Sequence, residues 1–120
     1  MQEMKLGVIE SRFADIIWEN EPLPSRVLVA LCQQELNWKK PTTYTVLRKL
    51  CQRGIFQNVD GMVSAVLSRQ EFYGRQSEQY IEDAFSGSLP AFLAAFTTRK
   101  ALSPKEVEEI RRMIDAYGGE

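Results

Sequence analysis

The chain has 120 residues, 44% of them apolar, with 15 Lys and Arg against 16 Asp and Glu and no histidine. That composition excludes wholesale disorder and predicts one compact domain, or a small domain with an oligomerisation arm. Without histidine there is no Ser/His or Cys/His nucleophile system, and the commonest metal ligand is missing too.

No glycine-rich phosphate loop is present, and no spacing singles out a pair of carboxylates, so the expectation is a protein that is not an enzyme and needs no cofactor or metal. Cys32 and Cys51 lie inside apolar patterns and are read as small buried side chains in a reducing compartment. No apolar run has the length of a signal peptide core or a membrane span, which predicts a cytoplasmic protein.

In chain order, Ile9, Phe13, Ile16 and Ile17 follow helical spacing and stop before "ENEPLP", which predicts a first helix. Pro22 and Pro24 punctuate a loop, Ser25 is placed to cap, and Val27, Leu28 and Leu31 continue one face toward Leu36 as a second helix. Pro41 suits the first turn of a third helix, which Gly54 closes by taking the left-handed conformation cheaply. Val46, Leu47, Leu50 and Cys51 form its inward stripe. Thr42, Thr45, Lys49 and Gln52 fall on the opposite side, flanked by Tyr44 and Arg48.

"IFQNV", the turn "DG" and "MVSAVL" predict a β-hairpin. "SRQE" from Ser68 opens a helix with a capping box, and "SGS" at 86–88 breaks it. "LPAFLAAF" is apolar nearly all round, which predicts burial on more than one side. Ser103, Pro104 and Glu106 open a last helix bearing Val107, Ile110, Ile114 and Tyr117.

The charge is unevenly placed. Residues 1–35 hold three cations and six anions, residues 36–58 hold five cations and no anion, and residues 59–120 hold seven and ten. The acid-free island is the third helix and its approach, "LNWKKPTTYTVLRKLCQRG". Three short helices followed by a hairpin is the order of a winged helix-turn-helix, whose third helix enters the major groove of DNA. The fold expected is therefore mostly α with a small β-hairpin. Residues 1–67 would form a winged-helix DNA-binding domain and residues 68–120 a C-terminal helical dimerisation arm.

Lys39 and Lys40 are read as phosphate contacts, and Tyr44 and Arg48 as candidates for base edges. Thr42, Thr43, Thr45 and Lys49 complete the DNA-binding set. Arg53 is included, although its distance along the helix suits it equally to offsetting the helix dipole. Trp18 and Trp38 are assigned to the core.

"TTYTVLRKLCQRG" resembles the recognition helix of the penicillinase-repressor and methicillin-repressor family. Thr42, Thr45, Leu47, Lys49, Leu50, Arg53 and Gly54 match that family's pattern, while Thr43 stands where an aliphatic β-branched residue is usual. "ADIIWENEPLP" is similar to the family's first helix and turn. "FSGSLPAFLAAF" followed by "LSPKEVEEI" is similar to its dimerisation arm.

The resemblance implies a homodimeric repressor of palindromic double-stranded operators that controls resistance genes such as that of a β-lactamase. The dimer contact would be made by Tyr80, Ile81, Phe85, Leu89, Phe92, Leu93, Phe96, Val107, Ile110, Ile114 and Tyr117. It also implies release when a membrane-bound sensor metalloprotease cleaves the arm, at a bond that falls between Ala95 and Phe96, where Ala95 replaces the family's usual Asn.

Two features depart from the family. The hairpin "QNVDGMVSAVLS" has no cation, and the C-terminal "IDAYGGE" lacks the Cys-x-Cys of a copper-responsive branch. Two other readings stay compatible with the sequence: a repressor that binds a small effector in its arm, and a winged helix that docks on a protein.

Overall fold

The computed structural model describes residues 5–118. Its elements are α1 (Val8–Asn20), β1 (Leu23–Pro24), α2 (Ser25–Leu36), α3 (Lys40–Gln52), β2 (Phe56–Val59), β3 (Met62–Ala65), α4 (Arg69–Phe85), α5 (Leu89–Arg99) and α6 (Pro104–Tyr117). The chain is mostly helical with one small sheet, as the pattern of apolar residues and turns predicts. It packs as two units, one up to Gln79 and one from Tyr80, so the division falls inside α4.

The first unit is built on aromatic side chains. Phe13, Phe56 and Phe72 are essentially buried, together with Ile17, Leu28, Leu50, Ile55 and Val63. Burying each large apolar side chain stabilises the fold by roughly 1.5–3 kcal/mol. Trp38 stacks on Phe13 with centroids 5.4 Å apart. Trp18 lies against Phe56 and Phe72 at 5.3 and 5.7 Å, and its indole N–H donates to the Leu67 carbonyl at 3.0 Å. A half-buried tryptophan is stable when its one donor is satisfied in this way. Because Phe72 and Tyr73 pack on Trp18, the start of α4 belongs with the winged helix. The sequence boundary after residue 67 separates them because it follows the turn rather than the packing.

The hairpin forms where the sequence places it. Asp60 and Gly61 both take positive φ, 52° and 82°, the conformation required at the two central positions of a tight type I′ turn. Val59 and Met62 face each other across it. The sheet has a third strand that periodicity does not reveal. The two residues of β1 pair antiparallel with β3, Leu23 opposite Val63, giving the order β1-β3-β2. A two-residue strand is too short to carry an alternation signal, and only the arrival of β3 beside it defines it. Pro24 is tolerated there because it lies on an edge strand.

Ser25 does not cap α2. The cap position is Pro24, without a side-chain hydrogen bond, and Ser25 is the first helical residue. Its amide donates instead to the Gly61 carbonyl of the hairpin turn at 2.7 Å, and its hydroxyl is engaged by α3. The predicted capping boxes of α4 and α6 both form. Ser68 and Glu71 exchange hydrogen bonds of 3.0 and 3.1 Å, and Ser103 and Glu106 do so at 2.9 and 3.1 Å.

In the second unit Tyr80, Phe85 and Phe92 make edge contacts at 5.7–6.2 Å. The expectation that "LPAFLAAF" is buried on more than one side is not met within one chain, where α5 has no buried residue. Phe92 and Leu93 are only partly covered. An 11-residue helix has too few neighbours to be enclosed in a unit made only of the end of α4, α5 and α6.

Candidate nucleic-acid interface

Helix α3 begins after Lys39, carries Pro41 in its first turn and ends at Arg53, before Gly54 with φ of 80°. Thr43, Leu47 and Leu50 are its buried residues, so the core stripe starts one turn earlier than the apolar residues suggest. Its opposite face is open, with Thr42, Thr45, Arg48, Lys49 and Gln52 all exposed.

Thr43 is a correction to the predicted set. It is fully buried and cannot meet DNA. The helical repeat that places Leu47 and Leu50 in the core also turns Thr43 inward, four and seven residues earlier. Its hydroxyl has no nitrogen or oxygen partner among the described residues and lies against the Cys32 thiol. Burial pushes that thiol up to about 11, and the Thr43 contact pulls it back in part. Cys51 is likewise raised by burial. Both cysteines are free and stay as neutral thiols, in keeping with packing residues. Among the described residues no cluster of His, Cys, Asp and Glu is placed to hold a metal, and no helix is long and apolar enough to cross a membrane.

The remaining predicted residues divide by what already holds them. Lys39, Lys40, Thr42 and Arg48 are exposed, and none of the three cations forms an ion pair among the described residues. Tyr44 is half-buried, and its phenol donates to Ser25 Oγ at 3.0 Å. It is a strut between α3 and the start of α2, with its ring on the wall of a groove. Thr45 is exposed, but its hydroxyl donates back to the Pro41 carbonyl at 2.9 Å, the local bond that competes with any outside partner.

Lys49 and Arg53 are turned toward the beginning of the chain. Lys49 Nζ pairs with Glu10 Oε2 at 2.9 Å. The Arg53 guanidinium donates to the Lys5 carbonyl at 2.6 Å. The Lys49 contact, followed by the Gly7 amide, holds the Glu10 carboxyl below its ordinary value.

Two features escape a sequence reading centred on the basic island. Arg26 is exposed on the first turn of α2, beside the Ser25 hydroxyl that Tyr44 engages. It lies in the acidic first segment, where a charge count hides it. Asn58 of β2 joins Tyr44, Leu47, Arg48 and Cys51 in lining an open groove of about 220 Å³ between α3 and the hairpin. Only tertiary packing brings Asn58 to α3. The hairpin tip itself offers Asp60 and the exposed pair Val59 and Met62, an uncharged-to-acidic end with no attraction for phosphate.

The profile of the family described as penicillinase repressor matches residues 6–116, nearly all of the chain. A similar protein is the methicillin resistance regulatory protein MecI of Staphylococcus aureus (strain Mu50 / ATCC 700699). It is 21% identical over 115 residues, which cover 92% of this chain and 94% of that protein.

Proposed function

The chain belongs to the penicillinase repressor family, whose members are transcriptional regulators rather than enzymes, and from that premise we propose that it is a homodimer that represses by holding a palindromic operator with α3 of each protomer. The observation that carries the reading is the face formed by Lys39, Lys40, Thr42 and Arg48, exposed, free of acid and without an internal ion pair among the described residues. Cations held by no internal anion release condensed counterions when they meet phosphate, which is the main source of non-specific affinity. The hydroxyl of Thr42 and the guanidinium of Arg48 add donors suited to phosphate oxygens and to base edges in the major groove.

The second unit supports the dimer. Tyr80, Leu89, Phe96, Ile114 and Tyr117 are between 42% and 83% exposed, and Ile81, Phe85, Phe92, Leu93, Val107 and Ile110 are only partly covered. An apolar set of that size left in water marks an interaction surface. A two-fold dimer would put two α3 helices into half-sites about one helical turn, roughly 34–36 Å, apart or a multiple of it.

The test is selection of bound fragments from random-sequence DNA, followed by anisotropy titration of the enriched palindrome. With three cations per protomer and six per dimer, raising salt from about 50 to 200 mM is expected to weaken binding by about 10³-fold. Failure to enrich any sequence, or binding indifferent to salt, would sink the reading. Antibiotic-resistance or cell-stress genes as targets are part of the proposal, and so is release by a membrane sensor metalloprotease cutting between Ala95 and Phe96. That bond lies inside α5, with both residues exposed. Mass mapping after exposure to a cognate sensor protease tests it, and an intact chain still bound to operator argues against cleavage.

A further inference from the structure

Two of the α3 cations that the sequence pattern assigns to DNA, Lys49 and Arg53, are held by the protein itself, and the holder of Lys49 is built in advance. Glu10 sits in the first turn of α1. Its Oε1 accepts the amide of Gly7, the N-cap of the same helix, at 3.1 Å, and its Oε2 faces Lys49 Nζ at 2.9 Å. One oxygen anchors the carboxylate to the start of its own helix, so the other is presented to α3 with little freedom left to lose. Arg53, one turn beyond Lys49, is drawn to the same corner by the Lys5 carbonyl, and its charge also acts on Glu10. The Lys49 side chain nevertheless remains 61% exposed and that of Glu10 23% exposed, so the pair lies within reach of solvent and of a docked polyanion.

We propose that Glu10 is an internal counterion that occupies Lys49 in place of a DNA phosphate and thereby sets both the strength and the salt dependence of operator binding. The inference rests on the DNA-binding reading above. A free surface cation that meets a phosphate releases a counterion from DNA. A cation already neutralised by a carboxylate exchanges one anion for another, and the displaced carboxylate is left bare. Lys49 therefore adds nothing to the salt slope of the native protein, and the hold on phosphates falls to Lys39, Lys40 and Arg48. Glu10 lies outside the basic stretch, nearly forty positions from its partner, so the basic island overstates the charge available to DNA.

The experiment compares anisotropy titrations of wild type, Glu10→Gln, Lys49→Ala and the double variant on the selected operator, from about 50 to 200 mM salt. Removing the Glu10 charge frees one lysine per protomer. It is expected to steepen the slope of log K against log salt by about 0.9 for each, or about 1.8 for the dimer. Affinity at the low-salt end tightens, and the fall across the range becomes about tenfold larger than in wild type. Lys49→Ala alone leaves the slope at the wild-type value, and the double variant returns to it.

A Glu10→Gln slope equal to wild type, with or without weaker binding, overturns the proposal and makes the pair a structural tie. A shallower slope in Lys49→Ala overturns it independently, even if Glu10→Gln does not fold. Wild type that binds no DNA overturns the parent reading and this one together, whereas salt-sensitive wild-type binding with an unaltered slope in Glu10→Gln removes this one alone.

Discussion

The two packing units satisfy their apolar residues in opposite ways. Every buried residue among those described lies before Gln79, where three helices, a hairpin and the first turns of α4 enclose Phe13, Phe56 and Phe72. From Tyr80 onward none of the described residues is buried, although "LPAFLAAF" is apolar nearly throughout. A domain with three layers of neighbours can bury aromatics alone. The end of α4 with two short helices cannot, because no side chain there has neighbours on every side. The first unit thus encloses its apolar core within one chain, and the second leaves its apolar side chains open.

The largest effect expected from breaking this contrast is in the first unit. Phe56→Ala should cost about 3–5 kcal/mol in urea unfolding followed by tryptophan fluorescence, since a fully buried ring leaves a cavity its neighbours only partly fill. A loss below about 1 kcal/mol would contradict the buried core. Next, Ile114→Lys should leave the melting of the winged helix nearly unchanged while sedimentation shows monomers. Operator affinity would then fall about 10²-fold or more as the second half-site loses its tether.

Within the first unit the contrast is between an α3 side chain that faces outward unheld, Arg48, and one held by another helix, Tyr44. Arg48→Ala should weaken operator binding by about 1–3 kcal/mol with no change in thermal stability, read by anisotropy and circular dichroism. Tyr44→Phe should do the reverse. It removes the bond to Ser25 and lowers stability by about 0.5–1.5 kcal/mol, leaving any change in affinity secondary.

The smallest effect is on pH dependence. The carboxyls of Glu10, Glu71 and Glu106 all lie below their ordinary value of 4.5, through Lys49 and the Gly7 amide in the first case and through capping bonds in the other two. A depressed folded value means these groups stabilise the native state above about pH 4.5 and cease to do so as pH falls through the lowered values. The melting-temperature advantage of wild type over Glu10→Gln should therefore be full above about pH 4.5 and shrink as the pH falls through the lowered Glu10 value. A Glu10→Gln curve superimposable on wild type would deny the ion pair any role in stability.

Much of the site was legible in the residues. The third helix, its proline start, its glycine end and its basic face follow from local rules, because helix spacing and turn chemistry act over four or five residues. Thr43 departs from the polar pattern for a definite reason: its methyl lets it fill a core position, where its hydroxyl meets the Cys32 thiol. Tyr44 looks like a base reader by position, but the partner that occupies its phenol comes from a different helix. Lys49 and Arg53 look like two more phosphate contacts until Glu10 and the Lys5 carbonyl are brought beside them.

By itself, then, the amino-acid order determined the elements, the capping boxes of α4 and α6, the hairpin and the identity of the basic surface, since each is encoded by neighbours close along the chain. Only the tertiary structure decided which of those cations are free. Whether a charge reaches outward depends on an opposite charge many residues away, and burial and ion pairing are properties of the space between helices. The strand β1 and the groove at Asn58 belong to the same class. They exist because α3, the hairpin and the loop before α2 meet, and no periodicity in any one of them announces the meeting.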